Sequence, residues 1–325
     1  MLDSLPEVPE AELGLEACRM RASAEYLCPE RLIEAYASVG VQVVADPFSS
    51  AVAEQAIAAL RHGLPFSIVR IGDGEANLLS FGRYPGTPIL DQHNFAAIIE
   101  MQQDRMAPDL AWAPVLRELI FSSVLQADVV GVIGLWRPRV FTIDILMELF
   151  REDRRGGSGH WRALDLMLKL AREGLLRGKI VASAYLYLGI LEHIPEIVSH
   201  AREVLLVTDR AHLASDFARR FGGMSFEMLN IGKRRFPVEA LEPSFLQDVD
   251  SQLPQDMSGY CCMIGAGPWA EVYCSWVRQR GGVAIDLGSG FDILDGIISR
   301  PVHRALGFDR VSKYALRNNM DLGQA

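Results

Sequence analysis

Short apolar runs alternate with amphipathic, helix-like segments along most of this chain. The strand-like runs are FSIVRIG, ADVVGVIG, KIVASAYLYL, EVLLVTDR, FEMLNI, YCCMIGAG and VAIDLGSG. Continuous apolar runs are typical of parallel strands that are buried on both faces. Strands that alternate with helices indicate βαβ units. The pattern therefore predicts an α/β, Rossmann-like fold with a mostly parallel sheet flanked by helices.

The same pattern divides the chain into three parts. Residues 1–45 contain the amphipathic segment PERLIEAYASVG and several prolines, which predicts an N-terminal helical extension. Residues 46–310 carry the alternating pattern and form the main domain, and residues 311–325 form a C-terminal tail. Within the main domain, the glycine-rich stretch REDRRGGSGHW is expected to be a flexible loop that could act as a lid.

Composition narrows the classes of function. The chain has 325 residues and a net charge of -9, so it has no general attraction for nucleic acid or anionic membranes. No apolar stretch is long enough to span a bilayer, and the N-terminus lacks the order of a signal peptide. The five cysteines form no C-x-x-C pair, which indicates a reducing compartment. We therefore expect a cytoplasmic protein.

Polar residues follow several of the predicted strands. Ligands of parallel α/β sheets bind beyond the carboxyl ends of the strands, so these positions are candidates for a site. Ser183, Tyr185, Asp209 and Arg210 are candidate ligand contacts by position alone. The full set is Asp73 and Glu75, Trp136 and Arg137, Ser183 and Tyr185, Asp209 and Arg210, Gly265 and Gly267, and Asp286 with Ser289.

Two carboxylates lie two residues apart in the segment GDGE, which follows the strand FSIVRI. Asp73 and Glu75 converge if this segment is extended or a turn, which Gly72 and Gly74 would permit, but not on a helix. Convergent carboxylates repel unless a cation or a proton lies between them. The pair therefore predicts a site for magnesium or manganese. The alternative is a helix start, with Asp73 as the cap and Glu75 at the positive helix end.

Arg70 lies in the same strand and shares a face with Phe66 and Ile68. A buried arginine needs an anionic partner. That partner is either a structural carboxylate or a substrate phosphate.

A second glycine motif lies near the end of the chain. Gly265, Gly267 and Ala270 form G-x-G-x-x-A between a strand and a helix, and Asp286 ends the next strand. This spacing matches the dinucleotide-binding fingerprint with its ribose-binding acid. Little βαβ sequence follows, so a nucleotide sugar fits better than NAD. The alternative is a tight strand–helix turn that needs glycine for packing. AIDLGSGFD also resembles the first motif of S-adenosylmethionine methyltransferases, although no clear second strand follows it.

Two segments together resemble one family. SIVRIGDGE is similar to the S-x-x-R-F-G-D-G-E signature of the GT-D type glycosyltransferases, a Rossmann-like class of bacterial, metal-dependent sugar transferases with a D-x-E motif. CMIGAGPWAEVYCSWVRQRGGVAIDLGSGFD resembles the closing segment of that family. The likeness covers roughly residues 46–310, with VTDR and FPVEAL at comparable positions between the two motifs.

The resemblance implies a hexosyltransferase that uses a divalent metal, a nucleotide-sugar donor such as a UDP-sugar, and a glycan, protein or lipid-linked acceptor. It implies that Asp73 and Glu75 bind metal and donor, or that one of them acts as general base. Arg70 and Arg210 would face the phosphates. Other residues that the resemblance places in the site are Gly72, Gly74, Gly265, Gly267, Asp286 and Gly288.

Two other functions fit parts of the same pattern. One is a nucleotide-binding oxidoreductase that uses Gly265, Gly267 and Asp286. The other is a non-catalytic nucleotide-sugar-binding protein. The N-terminal helices are in addition a candidate surface for a homo-oligomer.

Overall fold

One parallel sheet organises the molecule. The structure is a computed structural model that describes residues 5–24, 28–102, 113–136, 142–222, 225–231, 249–307 and 311–316. Within these residues eight strands form a single sheet in the order β1-β4-β3-β2-β8-β7-β5-β6, and every neighbouring pair is parallel. The predicted parallel α/β architecture is therefore confirmed. The strands are β1 Gln42–Val44, β2 Phe66–Ile71, β3 Val129–Val132, β4 Ile180–Ser183, β5 Glu203–Thr208, β6 Phe226–Asn230, β7 Tyr260–Ile264 and β8 Val283–Asp286.

Helices cover both faces of the sheet. One face carries α3 Ala51–His62, α9 Tyr187–His200, α10 Leu213–Arg220 and α12 Gly290–Leu294. The other carries α1 Glu10–Ala22, α2 Pro29–Ser38, α4 Asp73–Ser80, α5 Pro88–Gln102, α6 Ala113–Gln126, α7 Ile143–Glu152, α8 Arg154–Arg172 and α11 Ala270–Gln279. A short 3-10 turn at Gly267–Trp269 precedes α11, and α13 spans Pro301–Leu306.

The strand β7 shows why the runs are continuously apolar. Cys261 and Met263 belong to the apolar cluster under one helical layer, whereas Cys262 and Ile264 belong to the cluster under the other. Successive side chains of a strand point to opposite faces, so a strand between two helical layers needs apolar residues at every position.

The N-terminal segment is helical, as predicted, but it also contributes a strand. β1 pairs with β4 at the edge of the sheet, at residues 42–44 of the expected helical extension. The carboxylate of Glu12 in α1 accepts hydrogen bonds from the backbone N of Ile89 and Leu90, at distances of 3.3 and 2.9 Å, at the start of α5. α1 and β1 are therefore built into the core and the sheet.

The expectation of a flexible loop at REDRRGGSGHW is wrong. These residues end α7 and begin α8, and they include three glycines in a helix. A Cβ on Gly157 would lie 2.5 Å from the Cα of Phe150, and a Cβ on Gly159 would overlap the carbonyl O of Asp73. Close helix contact explains glycines that local propensity alone would assign to a loop.

Candidate functional site

The predicted site residues lie along the carboxyl edge of the sheet. β2, β8 and β7 are neighbours in the sheet, so their carboxyl ends come together. Asp209 and Arg210 follow β5, which is the next strand beyond β7, whereas Ser183 and Tyr185 lie at β4, with β3 between them and β2. The residues at the three central strand ends are Arg70, Gly72, Asp73, Gly74 and Glu75 at β2, Asp286 and Gly288 at β8, and Gly265 and Gly267 at β7.

A buried ion pair joins β2 to β8. Arg70 Nε donates to Asp286 Oδ2 and Nη2 donates to Oδ1, each at 3.0 Å. The two side chains are 17% and 3% exposed. Burial raises the pKa of Asp286, while the charge and hydrogen bonds of Arg70 oppose that rise. Of the two alternatives for Arg70, a structural carboxylate is the partner in this structure.

Two further contacts hold the Arg70 guanidinium in place, and Gly288 leaves space for it. Nη1 donates to the carbonyl O of Ala184 at 3.3 Å. The ring of Tyr187 lies 5.2 Å from the guanidinium carbon, within the range of a cation–π contact. Gly288 has a φ of +44°, and a Cβ there would overlap Nη2 of Arg70. Glycine is therefore required at 288 by both backbone conformation and space.

The carboxylate pair lies on a helix. α4 begins at Asp73, so Asp73 and Glu75 occupy its first turn and the segment GDGE is not extended. The backbone N of Gly72 donates to Glu75 Oε2 at 3.0 Å, which makes Glu75 the capping carboxylate. Asp73 is 34% exposed, and its Oδ2 lies 3.9 Å from Arg155 Nε. The premise that these two side chains converge on an extended backbone is wrong, because residues two apart diverge on a helix.

The glycines around this pair differ in their roles. A Cβ on Gly72 would lie 2.7 Å from Glu75 Oε2, so Gly72 leaves space for the capping carboxylate. A Cβ on Gly74 would make only an ordinary contact with Ile98, at 3.9 Å. Gly159, which is not among the site residues predicted from the sequence, lets α8 press against the backbone of Asp73.

Further carboxylates lie near the half-buried Glu75 at this edge of the sheet. Burial, together with the charges of Asp73 and Asp286, raises the pKa of Glu75 to about 7. Glu271, in the first turn of α11, is 1% exposed. Burial, followed by the charges of Glu75 and Asp286, raises the pKa of Glu271 well above its usual value. Among the described residues Glu271 Oε2 has no hydrogen-bond partner.

Glu271 is not among the site residues predicted from the sequence. Its signal is present in PWAE, where an acid falls in the first turn of the helix that follows G-x-G. Oxygen ligands in a buried acidic set suit a hard divalent cation, and the unpartnered Oε2 is compatible with such a group.

The second glycine motif forms a tight turn. The chain passes from β7 through a 3-10 turn at Gly267–Trp269 before α11 begins. A Cβ on Gly265 would lie 2.5 Å from Cδ2 of Phe291, and Gly267 has a φ of +55°. These contacts match the alternative in which glycine is needed for packing, and they leave the start of α11 at the carboxyl edge.

The outer candidates have partners within the protein. Arg210 forms ion pairs with Asp292 and, at 2.6 Å, with Asp295. Ser183 Oγ accepts a hydrogen bond from the backbone N of Tyr185 at 3.1 Å. The ring of Tyr185 meets Trp136 edge to face at 5.8 Å. Three predictions, namely Arg137, the segment FPVEAL at 236–241 and most of the C-terminal tail at 317–325, lie outside the described residues.

Comparison with family models, curated proteins and solved structures found no match to this chain. None of the helices in the described ranges is long and apolar enough to cross a membrane. Those ranges also contain no group of three or more His, Cys, Asp or Glu side chains placed to hold a metal ion together. What the structure shows is a Rossmann-like, parallel α/β sheet with the buried acids Glu271 and Asp286 at its carboxyl edge.

Proposed function

We propose that this protein is a metal-dependent glycosyltransferase. It would move a sugar from a nucleoside-diphosphate sugar, such as a UDP-sugar, to a glycan, protein or lipid-linked acceptor in the cytoplasm. The observation that supports this most is the position of three acids: the half-buried Glu75 and the buried Glu271 and Asp286 follow the carboxyl ends of three adjacent strands. These strands carry the two motifs that resemble the GT-D type glycosyltransferases.

Glu75 would hold the divalent cation, manganese or magnesium, directly, and Asp73, which diverges from Glu75 on α4, would contact it through water. That cation would supply positive charge to the departing diphosphate. The side chain of Asp73 is 34% exposed, and this partial exposure suits contact with a substrate or with an acceptor hydroxyl. Backbone N–H groups at the starts of α4 and α11 face the same edge and favour phosphate oxygens.

Asp286 favours the transferase over the oxidoreductase. A dinucleotide-binding acid must offer its oxygens to ribose hydroxyls. Both side-chain oxygens of Asp286 instead accept hydrogen bonds from Arg70. In the proposed function Asp286 holds Arg70, while the donor is bound by the cation and by the helix starts.

Thermal unfolding in the presence of ligands tests the class of donor. We expect UDP or a UDP-sugar, added with manganese, to raise the melting temperature, because a ligand that binds only the folded state stabilises it. NAD should leave the melting temperature unchanged. Stabilisation by NAD, without any response to nucleoside diphosphates, would refute the transferase.

Transfer or hydrolysis of the donor sugar tests the roles of the acids. We expect Asp73→Asn and Glu75→Gln each to lower activity by at least about 100-fold, since even an outer-shell partner of a metal contributes 10–100-fold. Glu54→Gln is the matched control: Glu54 lies in the first turn of α3, on the opposite face of the sheet, and is exposed. Full activity in both site variants would show that the site is elsewhere, and no activity in the native chain would favour a non-catalytic binding protein.

A further inference from the structure

Glu271 belongs to α11, which packs over β2. Cys274, three residues later in α11, donates from Sγ to the carbonyl O of Ile68 in β2 at 3.4 Å. Residues three apart share one face of a helix. Glu271 is one turn closer to the carboxyl edge, so this face of α11 places it near the point where β2 ends and α4 begins.

The helices α4 and α11 lie in the same layer. Both pack into the apolar cluster on one face of the sheet. They begin after β2 and β7, and only β8 separates these strands. Glu75 and Glu271 therefore occupy the first turns of two helices that start side by side, and the electrostatic effect of Glu75 on Glu271 agrees with this placement.

Glu271 differs from Glu75 and Asp286 because one of its carboxylate oxygens, Oε2, is buried without a hydrogen-bond partner among the described residues. Glu75 accepts from the backbone N of Gly72, and Asp286 accepts from Arg70. Within the described residues, Glu271 Oε2 accepts no hydrogen bond at all. The positive end of a helix favours a nearby acid only weakly compared with the cost of burying an unpartnered carboxylate oxygen. A structural role at the helix start therefore does not explain why Glu271 Oε2 is buried without a hydrogen-bond partner.

We propose that Glu271 is a further ligand of the divalent cation at this edge, with Oε2 as the donor atom. The inference rests on the proposed function and adds to it a ligand from a second helix. Magnesium-like cations bind through one or two carboxylates and complete their shell with water and substrate phosphates. Glu75 and Glu271 therefore suffice as the pair of carboxylates that bind the cation directly.

Binding of manganese alone to the full chain, measured by isothermal titration calorimetry and by the electron paramagnetic resonance signal of free Mn²⁺, tests this ligand. We expect Glu271→Gln to weaken manganese binding by at least about tenfold. Glu203→Gln is the matched control, because Glu203 Oε2 is likewise buried without a partner but lies at the amino end of β5, on the opposite edge of the sheet. Manganese affinity should be unchanged in that variant.

Glu271→Asp provides a second test if Glu271→Gln fails to fold, as judged by circular dichroism. It keeps the carboxylate but shortens its reach, so we expect weakened manganese binding. Native-like affinity in the folded Glu271 variants, or an equal loss in Glu203→Gln, would overturn the inference. The proposed function would survive that result if Glu75→Gln still loses manganese. If the native chain binds no manganese, with or without UDP, the proposed metal dependence itself fails.

Discussion

Gly288 shows how one residue can hold the centre of the site. Its φ of +44° lies in the left-handed region, and the space where a Cβ would stand is filled by Nη2 of Arg70. Gly178 has a φ of +77°, but an added Cβ there would meet no atom within 4 Å. A comparison of alanine substitutions at the two positions therefore distinguishes the cost of a left-handed backbone from the cost of displacing the buried ion pair.

We expect Gly288→Ala to destabilise the protein more than Gly178→Ala. The control substitution should lower the free energy of unfolding by about 1–2 kcal/mol, the cost of a left-handed alanine. Gly288→Ala should lower it by roughly 3–5 kcal/mol, because it also disrupts the pair of Arg70 and Asp286. Urea unfolding measures both variants, and equal losses would contradict the role assigned to Gly288.

At the scale of elements, α1 is tied to α8 by a buried ion network. Glu16 Oε1 accepts from Arg162 Nε at 2.7 Å and from Trp161 Nε1 at 3.1 Å. Arg162 also donates to Asp91 Oδ1 at 2.7 Å, and the side chains of Glu16 and Arg162 are fully buried. Since α8 presses on the backbone of Asp73 through Gly159, α1 supports the helix that positions the candidate site.

We expect Glu16→Gln to lower the free energy of unfolding by about 3 kcal/mol, because it leaves part of the buried Arg162 charge uncompensated. Glu10→Gln, an exposed position of the same helix, should change it by less than about 0.5 kcal/mol. Chemical unfolding measures both. A negligible effect of Glu16→Gln would show that α1 is only loosely attached.

The elements predicted from the sequence are those whose burial is continuous. β7 and β8 are apolar at nearly every position because helices cover both faces, so their pattern is strong. β1 has three residues, one exposed and two half-buried, at the edge of the sheet, and it leaves little trace in the sequence. The start of α8 contains three glycines, whose low helix propensity is overridden by contacts with Phe150 and Asp73.

At the scale of the whole molecule, protonation of His303 and protonation of Glu75 change the stability of the fold in opposite directions. His303 is fully buried, and burial, followed by the charges of Arg300, Arg304 and Arg70, lowers its pKa from 6.5 to about 4. Between these values the unfolded chain binds more protons at this position, so acid destabilises the fold. Glu75, with a pKa raised to about 7, is protonated first in the folded state, so acid favours the fold there.

His303→Gln isolates one of these contributions. Glutamine can keep a hydrogen bond to the hydroxyl of Tyr187, which lies 2.8 Å from His303 Nε2. As the pH falls from 7 to 4, we expect the native chain to lose up to about 3 kcal/mol of unfolding free energy relative to the variant. Urea unfolding at several pH values measures the difference, and parallel pH profiles would contradict a neutral, buried His303.

Sequence and tertiary structure determined different features of this protein. Apolar runs and their spacing determined the parallel α/β fold and the edge at which the candidate residues lie. The reason is that each apolar run, and the polar residues that follow it, lie within one short segment of the sequence. Which side chains meet was decided only by the tertiary structure. Arg70 and Asp286 are far apart in the chain but become neighbours because β2 pairs with β8. Glu271 approaches Glu75 because two helices begin on the same face, at the ends of the two strands that flank β8, an arrangement that no short-range pattern specifies.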